Sequence, residues 1–201
     1  GVYRIMRITE LFDNGEFVVS AEVGPPKGIH IDGMVEEAKK YLTGVHFVNV
    51  TDNQSSVMRL GSLATCKVLK DAGLNPIFQL TCRDRNLNAT KALLLGLYAE
   101  GVREVLAITG DPIPTAERDE VKNVYQFNSR KLAQYIVSLA GEGREMPSPL
   151  TVFGALNLNA RNFEVELRRA AEKLENGMTG FLTQPVLSEQ AVQNLQQARQ
   201  T

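Results

Sequence analysis

The chain has 201 residues, with 22 Lys and Arg against 23 Asp and Glu, for a net charge of −1. Such near-neutrality gives no electrostatic reason to expect nucleic acid or an anionic membrane as partner. Apolar residues at 43% and charged residues at 22% exclude a disordered, collagen-like or coiled-coil chain. No apolar run nears the roughly 20 residues of a membrane-spanning helix, and no signal-peptide core is visible, so a cytoplasmic single domain is expected.

In chain order, the first candidate strand is Phe17–Glu22, followed by a helix over Asp32–Leu42 with Asp32 as its N-cap. The second strand, Val45–Val50, carries His46, which reads as a packed strand residue and not a catalyst. A helix over Val57–Asp71 leads to a strand at Ile77–Thr81, and one over Asn88–Glu100 to a strand at Val105–Thr109. Next come a helix at Asn128–Ala140, a strand at Leu150–Gly154, a helix at Asn162–Asn176, a strand at Gly180–Thr183 and a helix at Ser188–Arg199. Asn162 and Ser188 are candidate N-caps. In Phe163–Leu174, the residues Phe163, Leu167, Ala170, Ala171 and Leu174 share one helix face.

One unit repeats. A helix ends near a glycine (Gly44, Gly73, Gly101, Gly177), an apolar run follows, and the run closes on a polar residue. Glycine suits the left-handed C-cap because it has no Cβ to clash. The runs lack strict alternation, as strands buried on both faces should. Strands recur about every 30 residues, the size of one βα unit. The fourth-to-fifth step is about 15 residues longer; the excess lies in the Pro- and charge-rich segment Pro112–Phe127, a functional-loop candidate.

Alternating βα units mean a parallel α/β sheet, closed as a (β/α)8 TIM barrel or open and doubly wound. No GxGxxG or GxxxxGK[ST] follows a strand, so the usual nucleotide loops of open sheets are absent. Polar residues close nearly every strand: Glu22, Thr51 with Asp52, Gln79 with Thr81, Asp111, Asn157 and Gln184. A barrel draws its active site from many strand ends, so this pattern favours the (β/α)8 barrel, with about six βα units in this chain. Eight units take about 250 residues, so the barrel reading requires a longer molecule and leaves two strand edges open in this one.

Fifteen residues separate Cys66 from Cys82, with no CxxC and no histidine close in sequence, which reads as two reduced, partly buried thiols with no metal site. His30 and His46 form no ligand pair, so His-dependent nucleophilic chemistry has little support.

Five segments carry a resemblance: SAEVGPP (Ser20–Pro26), VNVTD (Val48–Asp52), QLTCRDRN (Gln79–Asn86), LAITGD (Leu106–Asp111) and FLTQP (Phe181–Pro185). In these residues and their order the chain resembles the methylenetetrahydrofolate reductase family, in the bacterial branch of stand-alone reductases and reductase halves fused to methyltransferases. Met6 opens the matching region, so Gly1–Ile5 reads as an addition ahead of the natural start, which favours a stand-alone subunit.

The resemblance implies a (β/α)8 barrel holding a flavin at the C-terminal ends of its strands. It implies hydride transfer from reduced flavin to 5,10-methylenetetrahydrofolate, giving 5-methyltetrahydrofolate. Glu22 falls at the family's general acid, which protonates the leaving N10 as the imidazolidine ring opens. The strand FVVSA and the following GPP suggest partly apolar surroundings, which raise a carboxyl pKa. The residues alone fit equally a strand-end carboxylate paired with Lys27.

Asp111 falls near flavin and pterin, where its charge favours hydride donation and steadies the cationic iminium; read alone, Gly-Asp-Pro is a turn. Gln184 matches a folate contact suited to the pterin edge, and Thr51 a hydroxyl near the reactive edge of the flavin. Thr109 and Gly110 match flavin-contacting backbone. Glu166 and Lys173 align with residues that contact the ribose and phosphates of FAD; read alone, Glu166, Arg169 and Lys173 are a solvated helix face. Tyr125 is a candidate ring for stacking on the flavin, and Arg83, Asp84 and Arg85 a candidate ion-paired loop.

The chain departs from many relatives where Thr109 replaces an arginine, Gln79 a histidine and Arg169 an asparagine. Ala155–Ala160 also lacks a Tyr-Pro and a histidine. FAD and FMN therefore both stay open, as do NADH, NADPH or a partner redox protein as electron donor. An oligomer is expected. Two other functions stay open: a flavin-free pterin-binding or methyl-transfer barrel, and a non-catalytic subunit of a redox complex.

Overall fold

The computed structural model describes residues 6–201; the reading of Gly1–Ile5 as an addition lies outside these residues. Six strands form one parallel sheet in the order β1 (Ser20–Val23), β2 (Phe47–Val50), β3 (Pro76–Thr81), β4 (Glu104–Ile108), β5 (Thr151–Leu156) and β6 (Gly180–Thr183). Every strand pairs with the next in sequence, so the sheet curls as a half-barrel. Of the (β/α)8 expectation, the parallel α/β half-barrel is present: six strands in sequence order, with β1 and β6 at the two ends of the sheet.

Seven helices flank the strands: α1 (Ile8–Asp13), α2 (Asp32–Tyr41), α3 (Ser62–Asp71), α4 (Leu87–Ala99), α5 (Ser129–Ser138), α6 (Phe163–Glu175) and α7 (Glu189–Gln200). On the convex face Val48, Val50, Phe78, Leu80, Val105, Ala107 and Val152 pack with Leu69, Leu94, Leu97, Leu132 and Ile136. The concave face has its own cluster of Phe47, Ile77, Leu106 and Phe153, closed by Ile8 of α1. Strands β2 to β5 are therefore buried on both faces, which explains their continuous apolar runs, whereas β1 and β6 at the sheet ends are part-exposed. The repeated glycines Gly44, Gly73, Gly101 and Gly177 all hold φ between 79° and 100°, as the C-cap reading requires.

Some local readings are corrected. Helix α1 lacks a sequence signal: it has six residues, and only Ile8 is buried. Its start is fixed from outside, by Ile8 N–H and Arg7 Nε donating to Glu104 Oε1 at 3.0 and 3.3 Å. Helix α3 starts at Ser62 and not Val57, because Arg59 N–H is taken by Asn53 Oδ1 (3.0 Å) and Leu60 N–H by the Pro26 carbonyl (2.8 Å). His46 precedes β2, and its Nδ1 accepts from Val19 N–H at 3.0 Å. Asp32 is the first residue of α2 and caps nothing, although its charge there suits the helix dipole. Asn162 and Ser188 do cap, accepting from Val165 and Ala191 N–H.

Candidate active site

Side chains alternate along a strand. Since Phe47, Ile77, Leu106 and Phe153 point to the concave face, Asn49, Thr51, Gln79 and Thr81 fall on that face too, one or two steps nearer the C-terminal end. Glu22 joins them, because β1 pairs Glu22 with Asn49 in register. The expected gathering of polar strand ends is present. Glu22 is exposed and not set in apolar surroundings; its Oε2 accepts from Asn49 Nδ2 at 3.0 Å, and among the described residues no bond to Lys27 is seen.

Two cavities open at these strand ends. The first, about 260 Å³, brings together Gln79, Gly110, Asp111 and Gln184 with Asp52 and Arg83. Gln79 is oriented by its amide oxygen, which accepts from Asp52 N–H at 3.2 Å. Gly110 holds φ +91°, and a Cβ there would stand 3.0 Å from Thr81 Cβ, so glycine is required for β4 to turn into the loop. Thr51 is 1% exposed, and its Oγ1 is buried without a partner among the described residues. Glu22, Thr51 and Tyr125 lie outside the lining of this cavity.

The second cavity, about 520 Å³, unites Thr109, Glu166, Arg169 and Lys173 with Ser129 and Arg130 at the start of α5. The solvated-face reading of α6 fails for two of its three residues. Glu166 is only 8% exposed, with Oε1 accepting from Asn157 N–H at 2.9 Å. Lys173 is half-buried, its Nζ donating to the Ala155 carbonyl at 2.5 Å, and desolvation lowers its pKa from the usual lysine value. Arg169 is exposed, and so are Ala171 and Leu174, which the periodicity placed on the buried face. Sheet curvature brings Glu166 and Lys173 over β5 in their place.

Beneath the first cavity lies a polar network. Arg83 is 2% exposed and forms a two-point bond to Asp84, both contacts at 2.8 Å. It also donates to Ser56 Oγ (2.9 Å) and to the carbonyls of Asp111 (3.1 Å) and Asn53 (3.2 Å). Burial alone would raise the Asp84 pKa; the Arg83 guanidinium outweighs it and holds Asp84 below the usual range. Tyr125 donates its hydroxyl to the Asp111 carbonyl at 3.2 Å. The long loop is thereby tied down, with Val124 N–H on the Arg83 carbonyl at 2.7 Å. Asn53, Ser55, Ser56 and Tyr125 all have positive φ, a strain that marks sites whose shape is imposed by their surroundings.

Residues 7–198 match the family model for methylenetetrahydrofolate reductase. The chain belongs to that family. No curated protein matches the chain. Among solved structures, an uncharacterized protein from Clostridium thermocellum described as binding two copies of 5-methyl-5,6,7,8-tetrahydrofolic acid superposes with TM-score 0.61. It is 14% identical, over 95% of this chain and 63% of its own. A 2,3-dimethylmalate lyase gives 0.61 at 11% identity over 95% and 65%. A phosphonopyruvate hydrolase gives 0.59 at 10% over 92% and 64%. These likenesses establish the fold, and the chain spans less than two thirds of each. The family's motif residues are thus placed at the strand ends of a barrel-like sheet. Ser129, Arg130 and Arg83 had no separate signal as site residues, because their places depend on how α5 and the strand-end loops fold back.

Proposed function

We propose that this chain carries out the flavin-dependent reduction of 5,10-methylenetetrahydrofolate to 5-methyltetrahydrofolate, with Glu22 as general acid. The observation that carries the reading is the joining of two chemistries on one strand-end face. A carboxylate and amides line the concave side. Next to them is a cavity holding three cationic side chains, a helix N-terminus and a buried carboxylate.

The donor set fits a flavin nucleotide. Lys173, Arg169 and the N-terminal amides of α5 suit phosphate, and Glu166 suits a ribose hydroxyl. Thr51, which the resemblance sets near the flavin, is buried behind the cavity wall and supports its shape instead of facing the ring. When bound and reduced, the flavin supplies the hydride. The chain supplies the rest. Glu22 gives its proton to N10 as the C–N10 bond breaks. Asp111 offsets the positive charge of the iminium, Gln184 orients the pterin through amide hydrogen bonds, and Gln79 is a contact to the flavin.

The test is direct. Protein soaked with FAD or FMN and then desalted should be yellow, absorbing near about 450 nm. Under anaerobic conditions an artificial reductant should bleach it, and 5,10-methylenetetrahydrofolate should restore the colour. NADH, NADPH and redox proteins can then be compared as donors in the same assay. A protein that stays colourless with both flavins overturns the proposal and leaves the flavin-free reading.

A further inference from the structure

The pairing of Glu22 with Asn49 points to a role for a residue outside the family motif roles considered above. Asn49 is 5% exposed, sits on the concave face of β2, and is the in-register partner of Glu22 across the β1–β2 ladder. Its Nδ2 donates to Glu22 Oε2 at 3.0 Å, while its Oδ1 is buried without a partner among the described residues. A buried amide with an orphaned acceptor costs stability; an apolar side chain of similar size would avoid this cost. The local packing thus gives no reason for asparagine here, whereas the chemistry of its neighbour does.

We propose that Asn49 is a positioning residue for Glu22, holding its carboxyl toward the concave face in both protonation states. The inference rests on the reading of Glu22 as the acid. A general acid is a carboxyl before the step and a carboxylate after it. An ionised carboxylate accepts hydrogen bonds only, and a protonated one must also donate. Asn49 answers both needs from one side chain. As the structure has it, Nδ2–H donates to the carboxylate. After a half-turn of the amide, Oδ1 accepts from the carboxyl O–H. No bond forms or breaks at Asn49; the proton passes from Glu22 to N10 of the folate.

Asn49→Leu separates this role from a structural one. It removes the orphaned acceptor, so the melting temperature should stay level or rise, and flavin binding should be unchanged. The kcat for re-oxidation of reduced flavin by 5,10-methylenetetrahydrofolate should fall about tenfold, with KM within about twofold. In a crystal structure of Asn49→Leu, the Glu22 carboxyl should leave its present position or occupy several. Because the two residues act as one unit, Glu22→Gln/Asn49→Leu should be no slower than Glu22→Gln. Unchanged kcat in Asn49→Leu, with Glu22→Gln inactive, overturns the role of Asn49 alone. A double variant tenfold slower than Glu22→Gln does the same. Full folate turnover in Glu22→Gln removes the acid reading and this inference with it.

Discussion

Arg85 grips Asp52 with both arms of its guanidinium, Nη1 2.6 Å from Oδ2 and Nη2 2.9 Å from Oδ1. Asp52 is 2% exposed and also accepts from Thr81 N–H (3.0 Å), Thr81 Oγ1 (3.2 Å) and Ser62 Oγ (3.4 Å). This one carboxylate joins the end of β2, the start of α3 and the loop after β3. It fixes the frame on which the first cavity stands.

Removing one partner of such a buried pair leaves a charge without its counter-ion. Arg85→Met should therefore destabilise the fold by about 3 kcal/mol. Arg85→Lys should recover only part of this, because an ammonium cannot make the two-point contact. Urea unfolding followed by circular dichroism measures both. An Arg85→Met midpoint equal to the parent's would show that the Thr81 and Ser62 donors suffice.

The two cysteines supply a pH test. Cys66 and Cys82 are buried free thiols, and burial pushes both up, Cys82 to about 12. Folded protein should resist alkylation near pH 8 and react at both sites once unfolded. Folded thiols keep their protons after unfolded thiols have lost theirs at about pH 8.5. The stability this supplies is complete below that pH and declines as pH rises toward about 12. Denaturant midpoints across this range should fall, and a Cys82→Ala variant should fall less steeply.

Much of this architecture was legible from residues. The inner strands β2 to β5 stand out because a sheet covered on both faces needs unbroken apolar runs, and the C-cap glycines because glycine takes the left-handed turn without a Cβ clash. Strand-end polar residues were also visible. What the sequence hid depends on curvature and on contacts distant along the chain. Glu166 and Lys173 look like solvent-facing charges on α6 until β5 is seen beneath them. Arg83 looks like half of a surface ion pair, yet its burial comes from Ser56, Asn53 and Asp111 arriving on other loops. Helix α1 is invisible because Glu104, nearly a hundred residues away, organises its start.

The second cavity carries its own prediction. Lys173→Met keeps the buried stem and deletes the charge facing the proposed phosphate site. Flavin nucleotide should bind about tenfold more weakly, corresponding to about 1.4 kcal/mol, and with less dependence on salt. Fluorescence quenching titrations with FAD and FMN read this, and unchanged affinity for both would remove Lys173 from the binding site.

The most direct measurement is anaerobic stopped-flow mixing of flavin-loaded, pre-reduced protein with 5,10-methylenetetrahydrofolate, comparing the parent with Glu22→Gln. The parent should regain flavin colour on folate addition. The variant should hold the same amount of flavin, reduce normally with the artificial reductant and re-oxidise with folate at least about a hundredfold more slowly, the usual scale of a lost general acid. Re-oxidation of the variant at the parent's rate would contradict the assignment of Glu22 as the proton donor.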